Sequence, residues 1–174
     1  AIEKGADGLI AVAAGAGGHA GRWSPFALIQ EIRAWFDGPL ALSGSIANGG
    51  AILAAQAMGA DVAYVGSPFI ATDEARASED YKQGIVEGSA KDIVYSNLFT
   101  GVHGNYLRSS IEKAGLDPDH LPESSPEAMS FGGAAGAKAW KDIWGSGQGI
   151  GAINRVQPAA ELVARWQDEY RAAK

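Results

Sequence analysis

The sequence predicts an α/β protein built on a parallel sheet, and three observations predict it. Short apolar runs at residues 8–13, 40–42 and 62–65 lack polar alternation, as expected of parallel strands covered on both faces. A helical stretch separates each run from the next, and each run ends in a glycine-rich or glycine-serine loop. Repeated units of this length imply right-handed crossovers, in either a doubly wound sheet or a barrel, and three strands alone cannot close a barrel.

Taken in order, the first run leads into a loop with Gly15, Gly17, Gly18 and Gly21. These glycines allow positive φ and the close approach of a flat ligand, and His19 stands in the loop to face it. Ser24-Pro25 signals a helix start, and Leu28, Ile29, Ile32, Trp35 and Phe36 form one apolar stripe before Asp37-Gly38-Pro39 ends it. The second strand ends in Ser43-Gly44-Ser45. Asn48 is placed to cap the following helix, residues 50–58, and Gly59 to close it. The third strand ends in Gly66-Ser67. A helix is expected over residues 72–87, capped by Thr72, with Asp73 and Glu74 in its first turn and Tyr81 and Ile85 inward.

The alternation then stops. Residues 92–96 suit a strand or a helix start, residues 98–115 read as a helix carrying Tyr106, Leu107 and Ile111, and residues 115–130, with Pro118, Pro122 and Pro126, read as a surface excursion. A second glycine-rich segment spans residues 145–151. A terminal helix opens at Pro158 with Leu162, Val163, Trp166 and Tyr170 as its stripe.

Composition narrows the function classes. With 174 residues and 47% hydrophobic content the chain can bury a core. Its 14 basic against 20 acidic residues, with no basic run, give no nucleic-acid footprint. No apolar segment reaches the roughly 20 residues of a membrane span and no signal-peptide pattern opens the chain, so a cytoplasmic location is expected. Zero cysteines exclude disulfides and thiolate metal sites, and His19, His103 and His120 are too scattered to signal a metal. His103 reads as a loop residue, His120 as solvated, and Glu79-Asp80 as an exposed helix face.

Ser43-Gly44-Ser45 and Gly66-Ser67, on consecutive strands, offer N–H and hydroxyl donors suited to a phosphate, helped by the helix N-terminus at Asn48. Residues 15–20 also match GxGxxA. That fingerprint is weak here, because the helix starts only at Ser24 and the second strand ends in Ser43 rather than an acidic residue.

Three segments in this order, GADGLIAVAAGAGGHAG, LALSGSIANGGAILAAQAMGADVAYVGSPFIAT and IWGSGQGIG, resemble the nitronate monooxygenases. The resemblance implies the C-terminal portion of a TIM (β/α)8 barrel, about its strands 6–8, with part of an added α-helical substrate domain. Residues 1–91 would be barrel, 92–144 substrate-domain segment and excursion, and 145–174 the flavin-side loop and returning helix. It further implies FMN as cofactor and oxidation of nitronates or nitroalkanes by molecular oxygen to a carbonyl compound and nitrite. His19 would be the active-site base. Gly17 and Gly18 would line the flavin ring, Ser43, Gly44, Ser45, Gly66 and Ser67 would hold the phosphate, and Gly147 and Gln148 would flank the flavin, with Ser146 where the family pattern has alanine. The alternatives are an enoyl-acyl carrier protein reductase-like flavoenzyme and a non-catalytic half-barrel. The half-barrel would expose apolar strand edges and need the missing N-terminal half or a second copy, and by itself would be inactive.

Overall fold

The computed structural model describes residues 1–124 and 139–174. In chain order its elements are β1 (Leu9–Val12), β2 (Gly18–His19), α1 (Pro25–Arg33), β3 (Leu40–Ser43), α2 (Gly49–Ala57), β4 (Val62–Ala63), α3 (Ser67–Ile70), α4 (Glu79–Glu87), β5 (Ile93–Ser96), β6 (Gly104–Leu107), α5 (Arg108–Lys113), α6 (Ala139–Asp142) and α7 (Ala159–Ala173). Three-residue 3-10 turns at Ile2–Lys4 and Ala90–Asp92, and a longer one at Gln148–Ala152, complete the set.

The parallel sheet is present, in the order β1-β3-β4, with Leu9 opposite Leu40 and Ala41 opposite Val62. Its helix-facing side is the core: Ala11, Leu40 and Leu42 pack with Ile29 of α1 and Ala55 of α2. The described residues leave the other side uncovered. Ile10 is 55% exposed and Val62 57%, so the expectation of strands buried on both faces fails for β1 and β4. Helices lie on one side of a three-stranded sheet, and the described residues supply no layer for the other.

A polar latch fixes the ends of the strands remote from the glycine loops. Arg33 donates to the carbonyls of Gly59 (2.7 Å) and Gly38 (2.8 Å) and to Asp61 (2.9 Å), while Asp61 accepts the Leu40 N–H at 2.7 Å. The Asp61 carboxyl is thereby held below its ordinary range, first by the Leu40 N–H and then by Arg33.

Several expected elements are redrawn. In place of one helix over residues 72–87 there are α3 and α4. Thr72 does not cap; its buried hydroxyl donates to the Phe69 carbonyl, and Ser78 starts α4 by accepting the Tyr81 N–H. Glu74 serves another helix, accepting the Ala159 N–H at the start of α7 (2.9 Å). Residues 92–96 contain the strand β5. Within 98–115, Gly104–Leu107 is a fully buried strand and only Arg108–Lys113 is helical, so the beginning of the 92–144 segment is a second sheet rather than α-helix. That sheet is antiparallel, in the order β2-β6-β5. Long-range pairing overrides local helical preference there.

Trp35 (65% exposed) leaves the α1 stripe because the helix ends at Arg33, and Val163 lies on the open side of α7. Of the expected excursion, residues 115–124 form turns and chain without regular secondary structure, and the remainder, including Pro126, lies outside the described residues. Among the described residues no helix is long and apolar enough to cross a membrane.

Candidate functional site

The site is assembled where the parallel strands end. β1 runs into Gly15, whose φ of +83° is a left-handed conformation that side chains rarely adopt. There is also no room for one: a Cβ on Gly15 would lie 2.0 Å from the Ser45 hydroxyl. β3 runs into Gly44 and Ser45, and Ser45 takes φ +56°, the sole positive φ of a non-glycine among the described residues. Such strain persists only where the surroundings fix it. Here the Ser45 N–H reaches the Gly15 carbonyl (3.3 Å), which also accepts the Gln148 N–H at 2.9 Å. β4 leads to Gly66 and the single turn α3. The Ser67 hydroxyl accepts the Gly147 N–H at 2.9 Å, which leaves its own proton free to donate.

These four loops enclose one cleft of about 290 Å³, near the lower end for ligand sites. It brings together Gly17, Gly18, Ser43, Gly44, Ser45, Gly66, Ser67 and Gly147. Ile46, Tyr64, Val65, Ile70 and Tyr81 provide apolar wall, and among the described residues no Asp, Glu, Lys or Arg lines it. The Tyr81 hydroxyl donates to the Gly145 carbonyl, its ring stacks on Trp144 at 4.9 Å, and burial pushes the phenol up to about 12.

Two expected residues are placed apart. Gln148 does not line the cleft; it is exposed and opens the 3-10 turn, its side-chain oxygen close to where a Gly15 Cβ would sit. His19 is exposed on β2, opposite Gly104, and its Nε2 meets the Thr100 hydroxyl at 2.8 Å. The N-terminus of α2 is not free for an anion either. Asn48 accepts the Ala51 N–H (2.7 Å), and the Glu169 carboxylate of α7 accepts the Gly49 N–H at 2.8 Å, so the chain's own acid occupies that dipole. His120 is exposed and bound to Asp117 at 2.7 Å, which raises its pKa, and His103 stacks on Tyr95. No group of metal-ligating side chains occurs among the described residues.

Sequence reasoning missed Asn105. It is 1% exposed, donates to the Ala16 carbonyl at 2.7 Å, and accepts the Ser146 N–H on its backbone oxygen at 3.2 Å, joining the two glycine-rich loops. Its Oδ1, like the hydroxyl of fully buried Ser146, has no hydrogen-bond partner among the described residues. A strand assignment for residues 104–107 would have exposed it as a polar residue within an apolar element.

The glycines differ in use. A Cβ on Gly17 would strike the backbone of Ser146 and Gly147 at 2.8–3.1 Å, so that position packs loop on loop. Gly18 and Gly66 have nothing within 4 Å of an added Cβ and face open space. A flat, partly apolar group with an anionic end fits this arrangement, which combines the free Ser67 hydroxyl proton, apolar wall and the open glycines Gly18 and Gly66.

The sequence model of the nitronate monooxygenase family matches residues 1–168. The chain is 31% identical to a nitronate monooxygenase of Paraburkholderia phytofirmans over 96% of its own length and 50% of that protein, and 29% identical to a putative monooxygenase of Mycobacterium tuberculosis over 95% and 48%. It thus spans about half the length of the curated relatives it matches. Among solved structures it is similar to FabK from Thermotoga maritima, with a TM-score of 0.81 and 26% identity over 98% of this chain and 57% of that one. It is also similar to a nitroalkane oxidase from Streptomyces ansochromogenes, with a TM-score of 0.77 and 28% identity over 99% and 54%.

Proposed function

This chain belongs to the nitronate monooxygenase family, and from that premise we propose that it carries the flavin-holding loops and the base of an FMN-dependent oxidation of nitronates and nitroalkanes. Molecular oxygen would be the oxidant, and a carbonyl compound and nitrite the products. The observation that carries the reading is the convergence of three parallel-strand loops and the Gly145–Gly149 segment on one cleft that no charged side chain lines among the described residues. In the proposed frame the chain is the C-terminal part of a barrel, where a phosphate sits beside the loops after the seventh and eighth strands and a short extra helix. β3, β4 and α3 are the corresponding parts.

The Ser67 hydroxyl proton and the Ser67 N–H would bind the FMN phosphate, with the Gly44–Ser45 turn lining the same cleft; Pro68 has no N–H to add, and the Phe69 N–H is spent on the Gly66 carbonyl at 3.0 Å. Gly18 and Gly66 leave room for the flavin ring, and Tyr64, Val65 and Ile70 exclude water beside it. The cofactor, when bound, supplies the electron acceptor. His19 takes the α-proton of a neutral nitroalkane and, once charged, steadies the nitro oxygens; a preformed nitronate needs only the second service.

The test is the visible spectrum of the purified full-length protein under nitrogen, with nitronate and then air admitted. Bleaching of bound FMN by nitronate, recovery in air and release of nitrite are expected. A flavin that only NAD(P)H reduces, with no nitrite formed, would replace this reading by the reductase alternative. A full-length protein that takes up no flavin would overturn both.

A further inference from the structure

The contacts around His19 decide more than its position. Thr100 has one hydroxyl proton and three neighbours: the Val102 carbonyl at 3.0 Å, the Val102 N–H at 3.4 Å and His19 Nε2 at 2.8 Å. A carbonyl can only accept, so the one assignment that satisfies all three contacts at once gives the Thr100 proton to Val102. The hydroxyl oxygen is then an acceptor towards the ring, and the proton between Thr100 and His19 must come from Nε2. A neutral imidazole has a single N–H. Nδ1 is left with its lone pair.

We propose that Thr100 is a positioning residue that fixes His19 as the Nε2–H tautomer, so that Nδ1 is the atom that accepts a proton. The proposal rests on the oxidation reading above only for the identity of the proton donor. With a neutral nitroalkane the α-C–H bond breaks and its electron pair forms the C=N bond of the nitronate. The proton goes to Nδ1, giving an imidazolium with an N–H at both positions.

The surroundings hold ring and partner in place. Pairing of Gly18 with Asn105 and of His19 with Gly104 sets the backbone. The next residue, Ala20, donates to the His103 carbonyl at 3.2 Å and accepts the Tyr95 hydroxyl at 3.1 Å. Thr100 sits in a turn closed by the Gly101 N–H on the Asn97 carbonyl at 2.9 Å. A paired strand therefore presents the histidine to a hydrogen-bonded turn, and the tautomer is set by a side chain 81 positions away.

The test uses the flavin-loaded full-length protein, as wild type, Thr100→Val and Thr100→Ser, with histidine nitrogen-15 labelled. Long-range proton–nitrogen spectra above the ring's ionisation, assigned with His19→Gln, report the tautomer. The proposal expects Nε2–H in the wild type and in Thr100→Ser, and a mixture of tautomers in Thr100→Val. It also expects Thr100→Val to lose about tenfold or more in kcat on a neutral nitroalkane while its kcat on the preformed nitronate stays within about twofold. An Nδ1–H tautomer in the wild type, or a tautomer unchanged in Thr100→Val, overturns it. An equal loss on both substrates overturns it as well. Nε2–H in the wild type, lost in Thr100→Val, with no turnover of either substrate by any form, would support the tautomer assignment and refute the oxidation reading.

Discussion

Substituting Gly147 and Gly66 by alanine, one at a time, separates the glycines that pack loops from those that leave room for a ligand. A Cβ on Gly147 would lie 2.6 Å from the Gly15 carbonyl oxygen and 3.1 Å from the Gly17 nitrogen, both backbone atoms that no side-chain rotation relieves. The loops must part, and the parting stretches the Gly147 N–H bond to Ser67 and the Gln148 N–H bond to Gly15, each 2.9 Å. Two weakened hydrogen bonds and the overpacking together cost about 2–5 kcal/mol. At about 2–4 °C per kcal/mol, the Tm of the full-length protein should fall by about 5 °C or more. FMN affinity should fall at least about tenfold, since ~1.4 kcal/mol of distortion suffices for that. Gly66 has an ordinary φ of −121° and nothing within 4 Å of an added Cβ. Gly66→Ala should therefore leave the Tm within about 1 °C and yet weaken FMN by about tenfold, because the methyl occupies ligand space. Calorimetry and flavin-fluorescence titration read the two quantities. A Gly66→Ala protein that binds FMN as tightly as wild type, or a Gly147→Ala protein unchanged in both, would refute the division of roles.

Asp61→Asn should lower the Tm at neutral pH and flatten its fall in acid. A carboxylate with a depressed folded pKa contributes stability above its unfolded value of about 4 and loses it as pH falls through the lower folded value, so a Tm series from about pH 6 to pH 2 checks the sign. Glu169→Gln removes the charge that meets the α2 N-terminus through Gly49 and should cost about 0.5–1 kcal/mol in urea unfolding. Tyr81→Phe strips the Gly145 carbonyl of its donor and should cost about 1 kcal/mol. In the unsubstituted protein the phenol, at about 12, should add no limb to the activity profile below about pH 10.

The parallel units were legible because each signal was local. Apolar runs, Ser24-Pro25, Asn48 and Gly59 mark element ends without reference to anything distant, and Asn48 does cap α2. What was not legible depends on partners far along the chain. Nothing within residues 104–107 announces a strand; they are extended because β5 pairs on one side and the two residues Gly18–His19 on the other. Thr72 has the chemistry of a cap, but its segment bridges to Gln157 and the helix start moves to Ser78. The anion role of the α2 N-terminus fails for the same reason, since Glu169 lies 120 positions from Gly49. The glycine and serine loops could be named as a group because they follow consecutive strands. Asn105, which joins two of those loops, could not.

The uncovered face of the parallel sheet connects these findings. Register places Ile10, Ala41 and Val62 in one row across β1, β3 and β4, while the opposite face, with Ala11, Leu42 and Ala63 in register, packs against the helices. Tyr64, 57% exposed, continues the uncovered side and also lines the cleft. A solvent-facing sheet surface ordinarily alternates to polar residues; here the Ile10–Ala41–Val62 row is apolar across three strands, and the next row carries a hydroxyl at Ser43 opposite Val12. Branched and small side chains stacked in rows are the composition of a barrel's interior layers, which lie beneath the loops that bear the chemistry. If the chain is part of a barrel, as proposed above, the absence of polar alternation that first marked these runs as strands would follow from an interior that the described residues line on one side only. On that reading the cleft and the apolar row are parts of one surface: the row forms the packed floor, and Gly18, Gly66 and Tyr64 form the rim on which the flavin would rest.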